Sequence, residues 1–94
     1  MALDKHRVFV MVADNRSITK TAEKLNYTQS AISHIIKNLE DEIGVQLIIR
    51  SKYGIHLTPQ GEDLLPIARQ IVKHENIFDQ QAAMLRNFKR GTIR

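Results

Sequence analysis

The sequence predicts a mainly α-helical chain that carries one two-stranded β-hairpin and closes with one long helix. Three observations point there. Helix breakers are sparse, with four glycines and two prolines in 94 residues, so long stretches run uninterrupted. Apolar residues recur at helical spacing in four runs, and Ser17, Thr28 and Thr58 stand ahead of the last three as N-caps. Between the third and fourth runs lie two short β-prone segments, Leu47-Ile48-Ile49-Arg50 and Ile55-His56-Leu57, separated by Ser51-Lys52-Tyr53-Gly54.

Residues 4–14 read as the first helix, with Phe9, Val12 and Ala13 at helical spacing and Val8 and Val10 widening its apolar face. Ser17 opens a short second helix in which Ile18, Ala22 and Leu25 share one face. Asn26 is the residue best suited to the left-handed backbone that turns the corner after it. Thr28 then caps a third helix. Its expected buried stripe is Ile32, Ile35, Ile36, Leu39 and Ile43, and Gly44 ends it. Gly54 takes the positive-φ position of the hairpin. Thr58 and Pro59 start the last helix, with Glu62 and Asp63 suited to the positive end of its dipole. That helix should run to about Arg90, be stopped by Gly91, and span roughly 48 Å at the usual helical rise. Pro66 should bend it and remove one hydrogen bond.

Two short helices joined by a three- or four-residue corner form a helix-turn-helix, and the hairpin after them makes it a winged one: three helices and a two-stranded wing. In such a unit the second helix of the pair, here residues 28–43, enters the major groove of DNA by its N-terminal end. The polar side of that end carries Gln29, Ser30, Ser33, His34 and Lys37. Glutamine can make a bidentate pair with adenine, and serine can bond bases or phosphates. From Asn15 to Asn38 the chain has four basic residues (Arg16, Lys20, Lys24, Lys37) and one acid, Glu23. The acids Glu40, Asp41 and Glu42 follow, so the C-terminal part of the helix should point away from the duplex. Arg50 and Lys52 lie near the wing tip, where they serve either as phosphate contacts or as charged guards of an exposed strand edge. Taken alone, the polar face of residues 29–37 also fits an ordinary solvated helix side; the preceding short helix and the following hairpin favour DNA.

Composition narrows the field. Hydrophobic residues make up 43% and charged residues 26%, ordinary for a globular domain, and the formal net charge is +4. A small basic domain suits a polyanionic partner. Without cysteine there is no disulfide framework or thiolate chemistry. No apolar run approaches the roughly 20 residues of a membrane span, and the first residues lack a secretory apolar stretch. Cytoplasmic localisation is the expectation. His6, His34, His56 and His74 show no metal-ligand spacing, no phosphate-binding glycine loop is present, and no nucleophile–base pair suggests itself. Neither a cofactor, a metal nor enzyme activity is expected.

The run Ser17-Ile18-Thr19-Lys20-Thr21-Ala22-Glu23-Lys24-Leu25, then Thr28-Gln29-Ser30-Ala31-Ile32-Ser33, then Leu39-Glu40, Gly44, Leu47, Arg50, Gly54, Leu57-Thr58 and Gly61 resembles the N-terminal domain of LysR-type transcriptional regulators. The resemblance covers essentially the whole chain. It departs from the usual pattern at His6 (leucine is usual), Ile18 and Ile48 (phenylalanine), Thr21 (alanine), Thr28 (serine) and His34 (arginine). What it implies is a bacterial regulator that binds a partly palindromic double-stranded operator as a homodimer or a pair of dimers. Gln29, Ser30, Ser33 and His34 are then the candidate base readers. Ser17, Thr28, Lys37, Arg50 and Lys52 are the candidate backbone contacts. Residues 1–58 form the winged domain and 59–90 the linker helix. Residues 91–94 resemble the lead-in to a further domain that senses a small-molecule effector.

Along the last helix, Leu64, Ile71, Phe78 and Leu85 recur every seven residues. Ala68 and Ala82 hold the second seam position, which Glu75 interrupts. Ile67, Val72, Ile77, Met84 and Phe88 widen the stripe. Pairing with a second copy would bury so long a face, and the resemblance favours antiparallel pairing. Alternatively, its first turns pack on the winged domain and the rest against another domain. A protein-interaction module that uses the winged unit only as a scaffold is the competing function.

Overall fold

The computed structural model describes residues 4–92, and side chains as far as Asn87. Its elements are α1 (Lys5–Asn15), α2 (Ile18–Leu25), α3 (Gln29–Ile43), β1 (Ile48–Ser51), β2 (Gly54–Leu57) and α4 (Pro59–Thr92). The winged helix-turn-helix followed by a long helix is therefore present. Its extents are 59 × 26 × 20 Å, the long axis being a consequence of α4.

Each short helix begins on a side-chain cap. The Arg7 N–H donates to Asp4 at 2.9 Å, the Lys20 N–H to Ser17 Oγ at 3.0 Å, and the Ala31 N–H to Thr28 Oγ1 at 3.1 Å. These bonds satisfy N–H groups that a helix start otherwise leaves without a partner. Asn26 closes α2 at φ 61° and Gly44 closes α3 at φ 78°. Arg16 closes α1 at φ 52°, a left-handed non-glycine residue that nothing local in the sequence announces.

The core lies where α1, α2 and α3 meet the hairpin and the start of α4. It contains Val8, Phe9, Val12, Ala22, Ile32, Ile36, Leu39, Leu47, Ile48, Ile55 and Ala68. Thr21 is also fully buried, at one of the positions where the sequence departs from the LysR-type pattern it resembles. Its hydroxyl donates to the Ser17 carbonyl at 2.8 Å and accepts from Asn15 Nδ2 at 3.1 Å, so the extra polar atom has partners. Ile43 does not join the core as expected. It is 43% exposed, because the last turn of α3 runs past the rim of the packed layer.

The hairpin loop is two residues shorter than expected, because Ser51 and Gly54 both join the strands. Ser51 pairs with Gly54, so only Lys52 and Tyr53 form the tip, and Gly54 has φ 120°. The Ile55 N–H donates to the Arg16 carbonyl at 3.3 Å, which holds the end of α1 against β2. Helix α4 continues past Gly91 to Thr92, so glycine does not stop it. Adding a residue to an established helix costs little, and a single glycine weakens a helix without ending it. The helix also runs continuously through Pro66, whose missing N–H leaves the carbonyl of exposed Glu62 to solvent.

Candidate nucleic-acid interface

Of the four candidate reading positions, Gln29, Ser30 and His34 are exposed and Ser33 is half-buried. All four stand on the first two turns of α3. None of their side chains has a hydrogen-bond partner among the described residues, so their donors and acceptors face solvent. Thr28 beside them and Ser17 at the start of α2 are occupied as cap acceptors. A hydroxyl that accepts an N–H keeps its own proton, so both can still donate to a phosphate oxygen. Lys37, one turn beyond His34, has its ammonium 3.7 Å from Asp41, and both side chains are mostly exposed. Such a pair contributes about 0–1 kcal/mol, so exchange of Asp41 for a phosphate costs little.

The wing carries Arg50 and Lys52, both exposed. Lys52 Nζ lies 5.4 Å from the centre of the Tyr53 ring, and Tyr53 is itself 82% exposed. The Ser51 hydroxyl accepts from the Tyr53 N–H at 3.2 Å and shapes the tip.

Sequence reasoning missed what aims this wing. By sequence Glu40 is one of three successive acids expected to point away from a duplex. Instead its Oε2 accepts from the Leu47 N–H at 2.7 Å and the Ile48 N–H at 3.2 Å. It thus clasps the chain between α3 and β1 to the recognition helix. On the other side, the Thr58 hydroxyl donates to the Gln46 carbonyl at 2.5 Å and accepts from the Gly61 N–H at 2.9 Å. The Thr58 N–H donates to the Leu47 carbonyl at 3.0 Å. Both ends of the hairpin are therefore tied down close to α3. Arg16, exposed at the left-handed end of α1, stands beside β2 and is a further cation near the wing.

The predicted seam of α4 divides in two. Ala68 is only 4% exposed and belongs to the core of its own chain, with Leu64 packed against that core. Ala68 is therefore not available for dimerisation as expected, whereas Leu64 is half-buried and keeps part of its surface open. Ile71 is half-buried, whereas Phe78, Ala82 and Leu85 are exposed, Phe78 by 74% and Leu85 by 66%. Phe88 lies outside the described side chains. Polar contacts fix the covered half. Arg69 makes a bidentate pair with Asp14 at 2.6 and 3.2 Å, and Arg7 Nη2 donates to Asn76 Oδ1 at 2.5 Å. Arg69 holds the Asp14 carboxyl below its ordinary range, against a smaller opposing effect of burial. Lys5, 2.7 Å from Glu42, does the same for that carboxyl.

Residues 3–62 match the family described as bacterial regulatory helix-turn-helix protein, lysR family. The chain belongs to that family. The LysR-family chain is 38% identical over 94 residues to YvbU, an uncharacterized HTH-type transcriptional regulator of Bacillus subtilis, covering 99% of this chain and 32% of that protein. It is 40% identical over 86 residues to the HTH-type transcriptional activator AmpR of Citrobacter freundii, covering 92% of this chain and 28% of that one. It thus spans about a third of the length of such relatives. Among solved structures it is similar to the DNA complex of the CbnR DNA-binding domain, with TM-score 0.80 and 28% identity over 90% of this chain and 98% of that one. It is similar also to the complex of the BenM DNA-binding domain with catB site 1 DNA, with TM-score 0.78 and 34% identity over 97% and 99%. The winged fold is therefore that of LysR-type DNA-binding domains, and the family is one of transcriptional regulators, not enzymes. No helix among the described residues is long and apolar enough to cross a membrane.

Proposed function

We propose that this LysR-type helix-turn-helix domain reads double-stranded operator DNA in the bacterial cytoplasm. Helix α3 lies in the major groove, the wing of residues 50–54 rests on the backbone or in the minor groove, and two copies join through α4. One observation carries this reading. The polar end of α3, without hydrogen-bond partners among the described residues, follows the capped start of α2 and precedes a wing clasped to α3 by Glu40. Gln29, Ser30, Ser33 and His34 are assigned to base edges. Ser17, Thr28, Lys37, Arg50 and Lys52 are assigned to phosphates, which set register without reading sequence. Likeness over nearly the whole length of two DNA-bound domains supports the assignment. Dimerisation is assigned to Leu64, Ile71, Phe78, Ala82 and Leu85, the seam positions that keep all or part of their surface open. Pairing of dimers and response to a small-molecule effector belong to the full-length regulator, as does any further domain that residues 91–94 lead into.

Selection from a randomised duplex pool at two salt concentrations tests the proposal. Enrichment of a two-fold-related site is the expected outcome. Gln29→Ala should then lose about 1–3 kcal/mol on the selected site and little on random DNA. Equal loss on both would remove the base-reading role. The exposed Phe78, Met84 and Leu85 favour a second reading, a docking module for another protein. That reading requires apolar association that salt does not weaken, whereas phosphate contacts weaken steeply with salt.

A further inference from the structure

Two polar residues stood out in the sequence because each interrupts an apolar pattern. His6 occupies a first-helix position where the family usually has leucine, and Glu75 breaks the heptad seam of α4. They are 69 residues apart in sequence, yet the fold brings them together beside Asp4. One ligand atom from each of Asp4, His6 and Glu75 lies within 4.8 Å of the others. We infer that Asp4, His6 and Glu75 form a binding site for one divalent transition-metal ion of the zinc type, joining the start of α1 to the middle of α4.

The atoms are suited to it. Asp4 Oδ2 is committed to the Arg7 N–H, which leaves Oδ1 facing His6. Asp4 Oδ1 and His6 Nδ1 are 3.6 Å apart, too far for a hydrogen bond and close to the roughly 3.4 Å edge of a tetrahedron with 2.1 Å metal–ligand bonds. His6 Nδ1 is buried and has no hydrogen-bond partner among the described residues. An imidazole nitrogen with two carboxylates is a borderline ligand set that favours zinc, cobalt or nickel over calcium. The two carboxylates supply the charge that offsets the ion, and the partial exposure of all three residues leaves room for water as a fourth ligand. The Arg7–Asn76 bond next to Glu75 and the cap bond of Asp4 orient the ligands from outside. Arg7 itself opposes a cation, but its guanidinium is turned toward Asn76.

Titration of the 94-residue chain with cobalt chloride, read by the visible bands of bound cobalt, tests the site. One ion per chain, displaced by zinc chloride, is expected, and zinc should raise the melting temperature by mass action. His6→Leu restores the usual residue and keeps the fold, and Glu75→Gln changes only charge at a partly exposed position. Each should weaken binding by at least the roughly tenfold that even an outer partner contributes. Nitrogen-15 NMR of the imidazoles should show zinc moving His6 Nδ1. No cobalt binding would overturn the inference, as would equal binding by both variants or a zinc-induced shift confined to His34, His56 or His74.

Discussion

Gly61→Ala is the substitution for which helix propensity and packing give opposite signs. Inside a helix the change normally stabilises by about 1 kcal/mol, because alanine loses less backbone freedom. Gly61 sits in the first turn of α4, where a Cβ would overlap the Leu47 carbonyl oxygen and lie 3.1 Å from its carbonyl carbon. That oxygen cannot easily withdraw. It accepts from the Thr58 N–H at 3.0 Å, the Leu47 N–H is held by Glu40 at 2.7 Å, and the Leu47 side chain is fully buried. Overpacking costs about 1–3 kcal/mol, and a displaced hydrogen bond about 1 kcal/mol more. Set against the propensity gain, the net is a destabilisation of roughly 1–3 kcal/mol. For a domain of this size that lowers the melting temperature by at least about 4 °C. Urea unfolding of both proteins at one chain concentration measures it, through a lower midpoint with unchanged slope. A variant as stable as the parent, or more so, would refute the reasoning that α4 is seated directly on the Leu47 backbone.

Other perturbations follow from the same geometry. Glu40→Ala leaves two backbone N–H groups without an acceptor and should cost about 2–3 kcal/mol, whereas Glu40→Gln should cost nearer 1; equal melting of all three proteins would refute the clasp. Asp14→Asn should cost about 0.5–1 kcal/mol at neutral pH, since the pair with Arg69 is half exposed and partly screened. Because Arg69 lowers the folded-state pKa of Asp14, its contribution is full above the ordinary value of 3.8 and is lost as pH falls below it. Thermal melts of parent and variant should therefore converge in acid, and a constant gap would refute the assignment. Arg50→Ala and Lys52→Ala should weaken binding to selected and random duplexes alike, each lowering the salt slope by about one; an unchanged slope would remove them from the phosphate contacts. Phe78→Glu should shift the chain toward monomer in sedimentation, and an unchanged dimer would place the pairing surface elsewhere.

What was legible in the sequence is what short-range chemistry determines. Ser17, Thr28 and Thr58 cap helices through their own side chains, a few residues from the N–H they receive, so each start was placed correctly. The polar end of α3 was legible for a similar reason: helical spacing alone puts Gln29, Ser30, Ser33 and His34 in the first two turns. What the chain does at a distance was not legible. Glu40 looks like one acid in a row of three until the loop returns to it. Heptad spacing cannot say which part of a long apolar stripe its own domain covers, so Ala68 read as a dimer residue. Arg16 is left-handed at the end of α1 where its carbonyl accepts from the Ile55 N–H, a partner 39 residues along the chain. The reason for Gly61 is a neighbour 14 positions back in the chain, and Asp4, His6 and Glu75 share no spacing that could announce them.

The clamp between α1 and α4 has a geometric consequence. Asp14–Arg69 and Arg7–Asn76 fasten the winged unit to the first half of α4. If two α4 helices pair as proposed, the winged units must follow their register as the ends of a lever. Sliding one helix by a heptad displaces a head by roughly 10 Å, about three base pairs of duplex and a little under a third of a helical turn in phase. The length of DNA between two half-sites would then be recorded in the apolar teeth of α4, far from any residue that touches a base.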